Sequence, residues 1–90
     1  MYKVFFRERT LKFLTKRLPP KIKHQVFKKI ENLSKDPFAR SLDVKKLSFF
    51  KNLEKAYRLR IGNLRIIYEL DTKNKIITVY DIDFRRTTTY

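Results

Sequence analysis

The chain has 90 residues, enough for one domain around one modest core. Hydrophobic residues make up 42% and aromatics 14%, which excludes a disordered chain although 36% of residues are charged, and the absence of cysteine rules out disulfides, thiolate metal sites and thiol chemistry. Lys and Arg number 23 against nine Asp and Glu, a formal net charge of +14. Self-repulsion on that scale costs stability and is expected where the partner is polyanionic: nucleic acid, the ribosome, a membrane surface or an acidic protein. The excess is spread, +9 over residues 1–40 and +5 over 41–90, so no detachable basic tail carries it. The opening residues lack the apolar core of a signal peptide, and no apolar run approaches the ~20 residues of a membrane span. The expectation is a soluble, cytoplasmic protein with no membrane partner, folded as a single domain over 1–90.

In chain order, Tyr2 to Arg7 predicts a strand, with Tyr2, Val4 and Phe6 alternating against Lys3, Phe5 and Arg7. Glu8 to Leu18 predicts a helix with Leu11, Leu14 and Leu18 on one side. Pro19-Pro20 breaks it, and Pro20 suits the first turn of a second helix. That helix carries Ile22, Val26, Ile30 and Leu33 on a stripe and stops at or before Asp36-Pro37. A short strand is expected at Val44 to Phe49, then strands at Ala56 to Ile61 and Leu64 to Leu70 around Gly62-Asn63, a Gly-first pair that fits a type II′ hairpin turn. Asp71 to Asn74 forms another turn, and Lys75 to Phe84 the last strand. Its apolar pairs Ile76-Ile77 and Val79-Tyr80 leave its faces ambiguous, as a central strand covered on both sides would. The fold class is α+β: an N-terminal strand, an antiparallel two-helix hairpin, then an antiparallel β-meander with the helices on one face of the sheet.

The hairpin carries the chemistry. With a two-residue loop at Gly62-Asn63, Arg60 lies opposite Arg65 and Leu59 opposite Ile66. Period two then places Tyr57, Leu59, Ile61, Leu64, Ile66 and Tyr68 on a core face and Arg58, Arg60 and Arg65 on the other. Like charges directly opposite on a sheet destabilise it, so this cluster calls for an external anion, unless Glu69 pairs with it. Guanidinium forks match phosphate oxygens bidentately. The tail adds Arg85, Arg86 and Tyr90, a tyrosine without a core reason, suited to stacking on a base or to proton transfer or simply a frayed end. Phe5, Phe13, Phe27, Phe84 and Tyr80 are expected in the core, whereas Phe38, Phe49 and Phe50 flank loops as a possible partner surface. His24 among lysines is a solvent-facing bystander. One histidine and scattered carboxylates give no metal-ligand set, and no nucleotide-binding fingerprint is present, so neither metal nor cofactor is expected. RNA cleavage needs neither, because the substrate's 2′-hydroxyl is the nucleophile.

Lys46-Leu47, the stretch Tyr57-Arg58-Leu59-Arg60-Ile61-Gly62-Asn63-Leu64-Arg65-Ile66-Ile67-Tyr68, and Arg85-Arg86 shortly before Tyr90 resemble the RelE/ParE toxin superfamily, in a form closest to its archaeal RelE branch. The resemblance covers nearly the whole chain. It implies a microbial-ribonuclease-like fold, cleavage of mRNA in the ribosomal A site to a cyclic phosphate and a 5′-hydroxyl, and an antitoxin that wraps the toxin. By position, Arg58 and Arg60 match basic residues that bind the phosphate, with Lys45 and Lys46 as further phosphate contacts. Arg65 matches the arginine that stabilises the transition state, Arg86 or Arg85 the C-terminal basic position, and Tyr90 the tyrosine that stacks on a base. Many relatives have His where this chain has Arg85, and Lys where it has Arg58 and Arg60. Arginine does not deprotonate, so the general acid and base are left open. A ParE-like inhibitor of DNA gyrase without nuclease activity, or a non-catalytic RNA- or ribosome-binding module, are the alternatives. The Arg65, Arg86 and Tyr90 set favours the nuclease.

Overall fold

A computed structural model describes residues 1–47 and 55–84. The elements are β1 (Lys3–Phe6), α1 (Glu8–Lys16), α2 (Pro20–Lys35), β2 (Val44–Leu47), β3 (Ala56–Ile61), β4 (Leu64–Asp71) and β5 (Ile76–Phe84). Five strands form one sheet in the order β1-β5-β4-β3-β2; every neighbouring pair is antiparallel except β1 with β5, which run parallel. The two helices form the crossover between β1 and the meander. They pack on one face of the sheet, α1 against β5 and β1 and α2 against β3.

The helices follow from their breakers and stripes. Pro20 opens α2, and Val26, Ile30 and Leu33 are buried along it. Lys23 Nζ reaches back to the carbonyl of Thr15 across the short link between the helices, and Tyr2 N–H donates to Ser34 O, tying β1 to the end of α2. In α1 the buried residues are Thr10 and Leu14, while Leu11 is exposed. The Thr10 hydroxyl donates to Arg7 O at 2.7 Å and lies 3.4 Å from Val79 O. That polar tie to β5 turns Thr10 inward and leaves Leu11 at the margin.

The hairpin forms as its turn chemistry dictates. Gly62 has φ +57, Asn63 stays at negative φ, and Ile61 pairs with Leu64, as a type II′ turn requires. A β-bulge accounts for the Val79-Tyr80 pair of β5, while Ile76 and Ile77 lie on opposite faces, half-buried and buried. Ile67 pairs with Asp81 but Tyr68 with Val79, so Tyr80 is an extra residue that shifts the alternation by one. Ile77, Val79 and Ile82 all reach the core in consequence. Three of the phenylalanines expected in the core are exposed. Phe5 stands on the sheet face opposite the helices, Phe27 lies one helical step off the buried stripe, and Phe84 ends β5 with its ring 5.9 Å from that of Phe13. Tyr80 is half-buried beneath the Arg7 guanidinium, 5.3 Å from its ring centroid.

The core joins Leu14, Leu18, Val26, Ile30 and Leu33 of the helical layer to Leu59, Leu64, Ile66, Leu70, Ile77, Val79 and Ile82 of the sheet. Tyr68 is fully buried among them, stacked on Tyr57 at 5.8 Å, and its hydroxyl has no partner among the described residues. Burial, with a smaller contribution from Tyr57, pushes its pKa well above the ordinary phenol value of 10.0. A raised folded-state value means that the unfolded chain loses this proton first as pH rises. Stability is therefore intact below pH ~10 and falls above it, by up to about 1.4 kcal/mol per pH unit. Tyr68→Phe removes both the unpaired hydroxyl and this titration. It is expected to match or exceed the parent at neutral pH, within about 1 kcal/mol, and to gain on it steadily above pH ~10. Denaturant midpoints at pH ~7 and ~11 check this, and a constant difference between the two would refute it.

Candidate functional site

Register builds the face opposite the helices. Directly paired residues share a face, so Arg60, Arg65 and Asp83 form one row across β3, β4 and β5, and Lys45, Arg58, Ile67 and Asp81 the next row across β2 to β5. Arg60 stands opposite Arg65 as expected, both exposed. Lys45 joins this face. Lys46 does not: it pairs with Tyr57 and so belongs to the helix side of the sheet, on the edge strand β2. Arg85, Arg86 and Tyr90 lie outside the described residues, as do Phe49 and Phe50. Phe84, the last residue of β5, pairs with Leu64 beside the Gly62 turn.

The arginine cluster contains an internal anion that its spacing did not reveal. The Asp43 carboxylate accepts from Arg60 Nε at 2.7 Å and from Arg58 Nη2 at 3.1 Å. Its backbone carbonyl accepts from Arg60 N–H at 2.9 Å, extending the β2–β3 ladder one residue before Val44. The expectation that the cluster awaits only an external anion is corrected by this carboxylate, and the partner is Asp43 rather than Glu69. Asp83 is the cross-strand neighbour of Arg65, although no ion pair joins them among the described residues. Asp43 thus offsets the mutual repulsion of Arg58 and Arg60 and holds these two forks close together, while Asp81 and Asp83 of β5 stand in the same two rows. Arg58 is drawn against the sheet, its side chain only 20% exposed, and its Nε is buried without an acceptor among the described residues. The terminal guanidinium nitrogens of Arg60 have no hydrogen bond among the described residues, and Arg65 is exposed with no ion pair among them.

Positive charge continues around the end of β5. A groove of about 500 Å³ between α1 and β5 is lined by Arg9, Lys12, Lys16 and Arg17, with Asp81 and Asp83 on its other wall. Arg9 reaches Asp81 at 3.8 Å. Among the described residues no three His, Asp or Glu side chains converge as metal ligands, and no helix is long and apolar enough to cross a membrane. The arrangement can grip phosphate groups and stabilise negative charge developing on them. His24 is exposed on α2, away from this face. The carboxylates are the functional residues that the sequence pattern missed. Pairing β2 with β3 would have found Asp43, because the residue before Val44 falls opposite Arg60 once Val44 is set against Leu59.

A small basic α+β domain, with helices on one face of its sheet and clustered arginines on the other, has the RelE-like microbial-ribonuclease fold. A family model described as the ParE toxin of type II toxin-antitoxin system, parDE, matches residues 6–88, and the chain belongs to this RelE/ParE family of toxins. Among solved structures it is similar to the archaeal RelE-RelB complex from Pyrococcus horikoshii, with 27% identity, a TM-score of 0.82, and coverage of 97% of this chain and 98% of that one. It is also similar to the RelBE2 toxin-antitoxin complex from Mycobacterium tuberculosis, at 28% identity and TM-score 0.72, covering 93% and 98% of the two chains. The isolated E. coli RelE toxin shares the fold, at 20% identity and TM-score 0.76, over 98% of this chain and 88% of that one. No curated protein sequence matches the chain.

Proposed function

We propose that the chain is the toxin of a type II toxin–antitoxin pair and acts in the cytoplasm as a ribosome-dependent, metal-independent endoribonuclease on mRNA. The observation that carries this is the clustering of Arg58, Arg60 and Arg65, with Lys45, on the open sheet face; Arg85, Arg86 and Tyr90 follow β5 in the sequence. The RNA 2′-hydroxyl oxygen attacks the adjacent phosphorus and the P–O5′ bond breaks. The products are a cyclic phosphate and a 5′-hydroxyl. One proton leaves the 2′-oxygen and one reaches the 5′-oxygen. Arg58 and Arg60, with Lys45 in the same row, bind the phosphate region, and Arg65 stabilises the charge that builds on the phosphorane-like transition state. Arg85 and Arg86 add charge from the C-terminal segment, and Tyr90 stacks on a base and supports the proton traffic.

The partner is an antitoxin with an acidic, amphipathic helical segment. It complements the net charge of +14 and covers exposed apolar side chains such as Phe38, which is 64% exposed. The family model's ParE description supports a second reading, inhibition of DNA gyrase by protein contact alone. Primer extension on a translated message after induction separates the two. New 5′ ends within codons, lost when translation is blocked, are expected; an intact message together with inhibited gyrase supercoiling would overturn the nuclease.

Binding to single-stranded RNA should depend steeply on salt. Each neutralised phosphate contributes about −0.7 to the slope of log K against log salt. Three to five contacts, roughly the number of cations on the face, imply about a 20- to 100-fold loss between ~50 and ~200 mM salt. Fluorescence anisotropy with a labelled oligonucleotide measures this, and a flat profile would show that the arginine face is not the contact surface.

A further inference from the structure

We propose that Asp43 is a positioning residue that clamps the Arg58 and Arg60 guanidiniums in the orientation that receives an RNA phosphate, a role that rests on the nuclease reading above. One carboxylate takes a hydrogen bond from each arginine, 2.7 Å to Arg60 Nε and 3.1 Å to Arg58 Nη2. The two arginines are alternate residues of β3 on one face, and without a shared anion their charges would drive the long side chains apart. Asp43 itself is fixed by the ladder, because its carbonyl holds the Arg60 N–H at 2.9 Å. The clamp is thus anchored through the backbone to the strand whose side chains it orients.

The geometry divides the donors. Asp43 uses the Nε edge of Arg60, so the outer edge formed by its two terminal nitrogens is left for a bidentate grip on a phosphate. Arg58 is pinned through one terminal nitrogen and has its Nε buried, so only its remaining terminal donors can turn outward. Lys45, the cross-strand neighbour of Arg58, is exposed on the same face and has no ion pair among the described residues. The carboxylate also weakens the overall attraction of the face for anions. Asp43 therefore trades ground-state affinity for alignment, and alignment is what accelerates an in-line displacement in which the protein supplies little covalent chemistry.

This trade has a signature that a merely structural residue would not produce. Asp43→Asn keeps the shape and the backbone hydrogen bond but removes the charge that pairs both guanidiniums. It is expected to bind single-stranded RNA roughly 3-fold more tightly at low salt, the effect of deleting one nearby like charge to the ligand. Single-turnover, ribosome-dependent cleavage at saturating toxin should nevertheless slow by roughly 10-fold, and Asp43→Glu should restore part of that rate. Because Asp43 pairs Arg58, whose side chain is only 20% exposed, thermal midpoints of both variants are measured alongside and rates are compared per folded protein. Cleavage at the parental rate in Asp43→Asn, or a rate that falls only in step with RNA affinity or folding, overturns the clamp. The affinity arm is independent of turnover. A parent that binds RNA without cutting it overturns the nuclease reading, and if Asp43→Asn then binds no more tightly, the clamp is overturned as well.

Discussion

Arg65→Ala is expected to leave the chain folded and to lower ribosome-dependent RNA cleavage by roughly 100-fold or more. The side chain is exposed on the open sheet face, opposite Arg60, and makes no ion pair among the described residues. Its removal relieves a like-charge contact, so stability should change by no more than about 1 kcal/mol. Asp83, its neighbour on β5, loses a nearby cation but stays exposed, and its Oδ1 accepts the N–H of Phe84. The catalytic loss is set by analogy with removing one preorganised donor from an oxyanion site. Arg65 suits that role better than Arg58 or Arg60, whose donors are partly committed to Asp43. Unfolding midpoints and single-turnover cleavage measured on the same preparation decide the matter. A folded, fully active Arg65→Ala protein would remove Arg65 from the chemistry. A loss of activity that tracks a loss of folded protein would reduce it to a structural residue.

Ile66→Ala is expected to cost about 2–5 kcal/mol and to lower the midpoint of thermal unfolding by more than roughly 10 °C. Ile66 is fully buried on β4 between Leu59 of β3 and Ile82 of β5, at the centre of the layer on which the helices rest. Truncation removes three carbons from a close-packed site with strands on both sides, so the cavity can close only partly. A domain of this size has a total stability of about 5–10 kcal/mol, so toxicity should fall at the growth temperature and return on cooling. Arg65→Ala, one residue away and facing the opposite side, should show no such recovery. A midpoint shift below about 3 °C for Ile66→Ala would mean that this part of the core is not as tightly packed as its burial indicates.

The hairpin and its arginines were legible in the sequence because everything that sets them is local. Gly62 supplies the positive φ, two residues close the loop, and period two assigns Leu59 and Ile66 inward and Arg60 and Arg65 outward. The helix ends were legible for the same reason, since Pro20 and Asp36-Pro37 act on their immediate neighbours. Aromatic burial was less so. Phe5 sits between half-buried Val4 and Phe6, and Phe27 sits beside buried Val26; hydrophobicity does not tell which of two adjacent positions faces a partner element.

The composition and local periodicity by themselves determined a single α+β domain with a strongly basic character, a helix pair, a meander, and a cluster of three guanidiniums on one face of a hairpin. Only the tertiary structure decided that β1 inserts its edge parallel to β5, that Tyr80 is a bulge, and that Lys45 and not Lys46 shares the arginine face. It also decided that Asp43 holds Arg58 and Arg60 across separations of 15 and 17 residues. The physical reason is the range of the interactions. Turn geometry and side-chain alternation act over two to four residues and are written in the local pattern. Strand neighbours and ion pairs between distant segments depend on which elements the shared core brings together, and the burial of Leu59, Ile66, Val79 and Ile82 beneath the helices makes that choice.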